Sequence, residues 1–157
     1  MKIYYREKSG GIEILRCFGI EGRVEIPGMI DDKLVISAAP YAFSSHMDEK
    51  EDLKNASLWE VSDGLEFGRE EHVLAGNDVE EIVFPYTLKE IGRYIFYGCG
   101  NLKKLEFSDS LMQIGCGAFT GCHALEKLTV HMEQGKKSGV KEMLGEMWQR
   151  IDVNFLY

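Results

Sequence analysis

The sequence repeats itself at a spacing of 23 residues. Residues 79–102 lie over residues 102–125 without a gap, and a third copy begins at Leu125. A period of this length indicates a stacked repeat protein, because one short unit cannot bury its own apolar face. The coinciding positions are Val79 with Leu102, Ile82 with Leu105, Phe84 with Phe107, Leu88 with Leu111, Ile91-Gly92 with Ile114-Gly115, Phe96 with Phe119, Gly98-Cys99 with Gly121-Cys122, and Leu102 with Leu125.

Each copy opens with the pattern L-x-x-L-x-L, as in Leu102, Leu105 and Phe107. Residues two apart face the same side of an extended strand, so Leu105 and Phe107 are predicted to point inward. Lys104 and Glu106 are then predicted to point outward. The apolar residues and glycines that follow supply a return path with tight bends. Stacked copies therefore predict a parallel sheet with strands about 4.8 Å apart.

The second half of each copy carries the more specific motif. Residues 112–125 read MQIGCGAFTGCHAL, and the preceding copy departs from this pattern at Ile95, where alanine stands at Ala118. The motif I-G-x-x-A-F-x-G-C-x-x-L resembles the BspA-like leucine-rich repeats, which are found mostly in bacterial proteins. That resemblance implies an α/β leucine-rich-repeat solenoid, a β-rich right-handed coil with short parallel strands.

Residues 22–43 carry a looser copy of the motif. Ile26-Pro27 corresponds to Phe84-Pro85, the segment 40–43 (PYAF) corresponds to the Ala-Phe turn, and the intervening loop from Gly28 to Lys33 is longer. With this copy the resemblance covers about two-thirds of the chain. It bears on the fold more than on the function, because the motif consists of structural residues.

Residues 44–78 are the obscure and acidic stretch. They hold ten Asp and Glu against three Lys and Arg, and so contribute most of the chain's net charge of −8. A further step of 23 residues places Trp59 on Ile82 and Val61 on Phe84, which favours a degenerate coil over residues 58–78 after an acidic insertion. A long solvated loop is the alternative, and the sequence leaves both open.

Both ends of a solenoid need caps. Ile3-Tyr4-Tyr5 and the segment 12–15 flank Ser9-Gly10-Gly11, which predicts a β-hairpin. At the other end Ser138 is a candidate N-cap for an amphipathic helix, followed by an extended segment over 153–157. The helix is interpreted as a cap in preference to a groove-binding helix. Its apolar face comprises Val140, Met143, Leu144, Met147, Trp148 and Ile151.

One leucine-rich-repeat domain is therefore predicted over residues 1–157. Its parts are an N-terminal cap (1–21), a first coil (22–43), the acidic insertion and degenerate coil (44–78), regular coils (79–130) and a C-terminal cap (131–157).

The sequence offers little support for a catalytic or metal-binding site. Cys99 and Cys122 occupy the same place in successive coils, which is compatible with a disulfide, but small buried thiols in a ladder are the favoured interpretation. Cys116 is predicted to face outward. The four histidines show no metal-binding spacing, and no nucleophile lies beside a base. The sequence thus predicts no catalytic residue, no cofactor and no metal site.

A protein-interaction module of unknown partner is the favoured function. The outward strand positions form the first candidate surface: Glu81, Val83, Lys104, Glu106, Lys127 and Thr129. Arg93, Tyr94 and Tyr97 on the opposite turn form the second, because Tyr and Arg are common at binding hot spots. An exposed parallel edge also makes a homo-oligomer possible.

The charge distribution disfavours two classes of partner. Nucleic acid requires clustered cations, and anionic membrane lipid would repel the acidic segment. A cytoplasmic location is predicted, since the sequence shows no signal peptide or transmembrane segment. The alternative function is a surface-displayed adhesin for a host or matrix protein, as the resemblance implies for exported relatives, provided that an export signal precedes this sequence.

Overall fold

Short strands dominate the computed structural model, which describes residues 1–61, 70–132, 139–145 and 151–156. Two short helices and one 3-10 turn (Gly76–Asp78) interrupt the described strands. In chain order the elements are β1 (Lys2–Lys8), β2 (Gly11–Gly19), β3 (Arg23–Glu25), β4 (Met29–Ile30), β5 (Lys33–Ala38), α1 (Glu49–Asp52), β6 (Ser57–Glu60), β7 (His72–Val73), β8 (Glu81–Val83), β9 (Glu90–Ile91), β10 (Lys104–Ser108), β11 (Gln113–Ile114), β12 (Lys127–His131), α2 (Val140–Leu144) and β13 (Asp152–Leu156).

The opening segments of the repeat form one parallel sheet, here called the front sheet, in the order β13-β12-β10-β8-β3. Leu105 lies opposite Leu128 on one side and opposite Ile82 on the other, so the 23-residue register is confirmed. Leu105 and Leu128 are buried while Lys104 is exposed, which confirms the predicted alternation. The fold is thus a β-solenoid with parallel strands and few helices.

A ladder of phenylalanine rings fills the interior. Phe96 lies 5.6 Å from Phe119 and 6.1 Å from Phe43 between ring centroids, and Phe84 packs 6.2 Å from Phe96. Aromatic pairs at this separation add to the free energy of burial. The predicted neighbours Phe96 and Phe119 therefore do meet, and Phe43 shows that residues 22–43 form a coil of the same stack.

The return paths of the coils stack through backbone hydrogen bonds. β5, β9 and β11 pair in parallel and form part of a second sheet, here called the back sheet, whose order is β11-β9-β5-β2-β1-β6 with β4 and β7 attached. The Ala-Phe turns add further rungs, since the amide of Phe43 donates to Ile95 O at 3.0 Å and the amide of Phe96 donates to Ala118 O at 3.1 Å.

The predicted N-terminal hairpin is present. β1 and β2 pair antiparallel from Lys2 opposite Phe18 to Lys8 opposite Gly11. Ser9 and Gly10 make the turn with φ values of 51° and 80°, the left-handed backbone that two-residue hairpin turns require. β2 also pairs in parallel with β5, so the hairpin extends the back sheet beyond the first coil.

The described parts of residues 44–78, which exclude 62–69, do not take the positions of the degenerate coil. Val24 pairs directly with Ile82, which leaves no room for a coil between them. Trp59 lies opposite Ile3 because β6 pairs with the outer edge of β1, and Val73 lies opposite Phe18 because β7 pairs with β2. Its described strands, β6 and β7, are not part of a solvated loop either. They lie at the N-terminal end and supply hydrogen-bond partners to β1 and β2.

The C-terminal end combines α2 with one more front strand. β13 pairs in parallel with β12, with Val153 opposite Leu128, so the predicted extended segment is present. Val140 and Leu144 of α2 are buried in the core. Gly139 precedes the helix, whereas Ser138, Met147 and Trp148 lie outside the described residues. The capping role of the helix stays a prediction.

A buried arginine joins three parts of the N-terminal half. Arg16 on β2 is 2% exposed. Its Nη1 donates to the carbonyl oxygens of Tyr41, Ala42 and Ser44 at 3.1, 3.2 and 2.6 Å. Its Nε and Nη2 contact Glu49 of α1 at 3.2 and 3.1 Å. Burial lowers the pKa of Arg16.

Candidate protein-interaction surface

The outward side chains of the front sheet form a surface with a regular register, here called the front face. Two rows cross the strands at right angles. The first row is Arg23, Glu81, Lys104, Lys127 and Asp152, and the second is Glu25, Val83, Glu106, Thr129 and Asn154. All six residues of the first predicted surface belong to these rows. The strands therefore bring them together as the repeat indicated.

Three carboxylates of the front face already have partners within the molecule. Arg23 lies 3.6 Å from Glu81 and also contacts Glu25 at 3.1 Å. Glu106 contacts His131 Nε2, and the other ring nitrogen of His131 lies 3.4 Å from the hydroxyl of Tyr86. The cluster of Glu106, His131 and Tyr86 was not singled out in the sequence, although His131 follows the outward alternation of β12.

The two lysines of the front face stand side by side without such partners. Lys104 lies opposite Lys127 in the register of β10 and β12. Among the described residues, neither ammonium group forms an ion pair. A shallow depression of about 160 Å³ lies between the strands, lined by Glu81, Ile82, Lys104, Leu105, Glu106, Lys127 and Thr129.

The second predicted surface is partly used by contacts within the molecule. Tyr94 stacks on Tyr41 with a centroid distance of 5.6 Å, and Tyr97 meets Tyr94 edge-on at 5.9 Å and His46 at 4.8 Å. Both predicted tyrosines are half-buried, whereas Arg93 is exposed. The structure thus brings Tyr94 and Tyr97 into one aromatic cluster.

A polar ladder on the outer face of the back sheet was not predicted. Glu13, Ser37, Glu90 and Gln113 stand in register on β2, β5, β9 and β11. The Ser37 hydroxyl bonds Glu13 at 2.9 Å and Glu90 at 3.0 Å. Glu13 and Ser37 are each 1% exposed, so these polar groups are buried but hydrogen-bonded, as buried polar groups must be.

Lys8, on β1 of the hairpin, contacts two carboxylates of this polar ladder. Its ammonium group bonds Glu13 at 3.0 Å and also contacts Glu90. The contact with Glu90 raises the pKa of Lys8, and the same contact lowers the pKa of Glu90. A depression of about 320 Å³ beside the ladder is lined in part by Arg93 and Gln113. The contacts of Lys8 tie the hairpin to the repeats, a structural role that no sequence spacing indicated.

The cysteines occupy structural positions. Cys99 Sγ donates to Phe43 O at 3.2 Å, and Cys122 Sγ donates to Phe96 O at 3.3 Å, one coil further on. All four thiols are free, so Cys99 and Cys122 form a thiol ladder and no disulfide. Burial raises the pKa of Cys17, Cys99 and Cys122 to about 12. Such thiols are poor nucleophiles, since the thiolate is the reactive form.

Cys116 and His123 lie at the surface of the repeat. Cys116 is exposed, as predicted, and His123 is exposed beside the Ala-Phe turn. In the part of the chain that the structure describes, no group of three or more His, Cys, Asp or Glu residues is placed to hold a metal ion.

Stacked coils with a parallel strand ladder, a phenylalanine ladder and a polar outward face define a leucine-rich-repeat solenoid. Residues 70–139, less than half of the chain, match the family described as BspA type leucine rich repeat region (6 copies). The matched residues are therefore similar to the BspA-type leucine-rich repeats. Leucine-rich repeat proteins generally act as binding modules, and no catalytic family is indicated.

Two solved structures are similar to this chain. One is a leucine rich cell surface protein from Faecalibacterium prausnitzii A2-165, with a TM-score of 0.53 and 16% identity, over 98% of this chain and 41% of that one. The other is a leucine rich repeat protein from T. pallidum, with a TM-score of 0.36 and 23% identity, over 81% of this chain and 68% of that one. The first likeness supports the fold. This chain spans about two fifths of that protein's length.

No curated protein matches the sequence significantly. None of the helices within the described ranges is long and apolar enough to cross a membrane.

Proposed function

We propose that this chain is a non-enzymatic protein-interaction module that docks its partner on the front face. The observation that carries the proposal is the register of the two outward rows. Lys104 lies between Glu81 and Lys127, and Glu106 lies between Val83 and Thr129. Side chains at these positions do not pack in the core, so they can be substituted for recognition without disturbing the fold.

The composition of the front face suits recognition of a polar partner. Charges of both signs stand on neighbouring strands, and Val83 is the one aliphatic side chain among the ten residues of the two rows. Mixed charge of this kind favours a specific register with a complementary partner over broad hydrophobic adhesion. The aromatic cluster of Tyr41, Tyr94 and Tyr97 is the weaker candidate, because its rings already contact one another.

Affinity capture with matched charge swaps tests this proposal. The front-face variant is Lys104→Glu/Glu106→Lys, and the control is Lys50→Glu/Glu51→Lys on α1. Both swaps keep the net charge. Lys104, Lys50 and Glu51 are exposed, and Glu106 is half-buried. We expect wild type and control to recover the same protein from native lysate and the front-face variant to lose it. Loss of the captured protein by the front-face variant, but not by the control variant, indicates binding at the front face.

The contrary result is equal recovery by all three proteins, or recovery by none of them. Circular dichroism establishes that the front-face variant is folded. Val83→Arg provides a second, bulky disruption of the same surface that leaves the Glu106–His131 contact in place. A parallel capture from purified matrix proteins tests the adhesin alternative with the same three proteins.

A further inference from the structure

The lysine pair, Lys104 and Lys127, carries a more specific inference about the partner. The two residues lie directly opposite each other on adjacent strands of the front sheet. Like charges placed opposite each other in a sheet are destabilising. Both side chains are exposed, so the repulsion is moderated by water, and no charged group among the described residues lies within ion-pair distance to offset it.

The acidic side chains around the pair do not supply that counter-charge. Glu81 contacts Arg23 and Glu106 contacts His131. Asp152 stands opposite Lys127 on β13, yet among the described residues no ion pair joins the two. On the front face, Glu25, Glu81 and Glu106 have a cationic or imidazole partner, whereas within the described ranges the ammonium groups of Lys104 and Lys127 have no ion-pair partner.

The shape of the surface agrees with an anionic group placed between the lysines. Lys104 and Lys127 line the depression of about 160 Å³ together with the hydroxyl-bearing Thr129. The two carboxylates in the lining, Glu81 and Glu106, are paired with Arg23 and His131. Two ammonium groups and one hydroxyl are hydrogen-bond donors suited to the two oxygens of a carboxylate. A depression of this size accepts one or two side chains and not a folded element.

We propose that the lysine pair receives an acidic side chain, Asp or Glu, from an exposed segment of the partner protein. This inference rests on the proposed function, since it gives the docking surface a partner of stated chemistry. The partner's carboxylate relieves the repulsion between Lys104 and Lys127, and so the register that is unfavourable in the free protein becomes favourable in the complex.

The test is an NMR titration of the ¹⁵N-labelled full chain at low salt, where screening is weak. The probes are a blocked diglutamate peptide, a blocked dilysine peptide and inorganic phosphate. We expect diglutamate to shift the amide signals of residues 104–106 and 127–129 in a saturable way. We expect dilysine to leave those signals unchanged and phosphate to bind more weakly than diglutamate.

Three variants establish which side chains are responsible. Lys104→Gln/Lys127→Gln should weaken diglutamate binding roughly tenfold, the combined effect of two exposed charge contacts. Lys104→Arg/Lys127→Arg should retain binding. Lys50→Gln/Lys89→Gln removes the same number of exposed charges away from the lysine pair and should also retain it.

Each other outcome overturns the inference. Absence of shifts at 104–106 and 127–129, or equal shifts with dilysine, removes the preference for an acidic partner. Saturation by phosphate at the same concentration assigns the pair to free anions instead. If the charge-swap capture succeeds while diglutamate fails, the front face binds its partner by other chemistry. If diglutamate binds while capture fails, the acidic preference is a property of a surface that does not serve the proposed function.

Discussion

At the scale of single residues, Arg16 joins β2 to the first coil and to α1 through its own hydrogen bonds. Replacing it with methionine removes a charged donor from the carbonyl oxygens of Tyr41, Ala42 and Ser44. We expect Arg16→Met to lower the free energy of unfolding by about 3 kcal/mol, because buried acceptors left without a donor are costly. Urea unfolding followed by circular dichroism measures the change.

Glu49→Gln is the matched comparison for Arg16. The side chain of Glu49 is 41% exposed, so losing its charge should cost no more than about 1 kcal/mol. Equal costs for the two substitutions would show that the ion pair, and not the three carbonyl contacts, carries the stabilisation.

Contacts between residues of the repeat could be predicted from the sequence, whereas contacts made by residues outside the repeat pattern could not. Leu105 and Leu128 share one pattern position, so their stacking followed from a constant offset in the sequence. Arg16 has no equivalent in another coil, and its position in β2 shows only a charged residue in a strand. Lys8 and Glu90 are 82 residues apart, and nothing in local spacing indicates that they meet.

At the scale of elements, the Ala-Phe turn requires a left-handed backbone at one recurring position. Tyr41, Tyr94 and Gly117 occupy it in three coils, with φ values of 60°, 52° and 66°. A Cβ atom on Gly117 would come within 2.2 Å of the Tyr94 ring. Tyr41 and Tyr94 show that a side chain can adopt this φ at a cost in backbone strain, so it is the close approach of the Tyr94 ring that requires glycine at position 117.

We expect Gly117→Ala to lower the free energy of unfolding by about 1–3 kcal/mol, since it combines backbone strain with a steric clash. Gly28→Ala is the control, because its added Cβ would meet Pro85 at an ordinary 3.7 Å. Chemical denaturation provides the measurement. In the double variant Tyr94→Ala/Gly117→Ala the clash is absent, and so a cost equal to the sum of the single variants would argue against the proposed contact.

Among the elements outside the repeat, β6 and β7 are the ones that the sequence did not predict correctly. Residues 58–78 were given coil positions by extending the 23-residue offset, but Trp59 and Val73 instead face the N-terminal hairpin. Antiparallel pairing with distant strands depends on which sheet edge is open in the folded molecule. That information is absent from a pattern of apolar residues, whereas the hairpin was predictable because Ser9 and Gly10 mark a local turn.

At the scale of the whole molecule, each coil contacts its neighbours, and the two ends differ in their protection. The hairpin and β6 cover the N-terminal end, while Val153 and Phe155 of the last described strand are half-buried. Stability in stacked repeats is approximately a sum of local and neighbour terms, so opening spreads from the weaker end. The four cysteines are spread along this stack, so their labelling reports on its local opening and no further cysteine has to be introduced.

We expect the thiols to react with iodoacetamide in the order Cys116 first, then Cys122, then Cys99 and Cys17. Cys116 is exposed and Cys122 is half-buried, whereas Cys17 and Cys99 have no exposed surface. Burial also raises the pKa of the last three to about 12, which keeps them as unreactive thiols until the surrounding coil opens. Mass spectrometry of peptides after timed labelling gives each rate, and labelling in denaturant provides the common reference. Faster labelling of Cys99 than of Cys122 would mean that the stack opens in its middle, contrary to a solenoid whose coils are held by their neighbours.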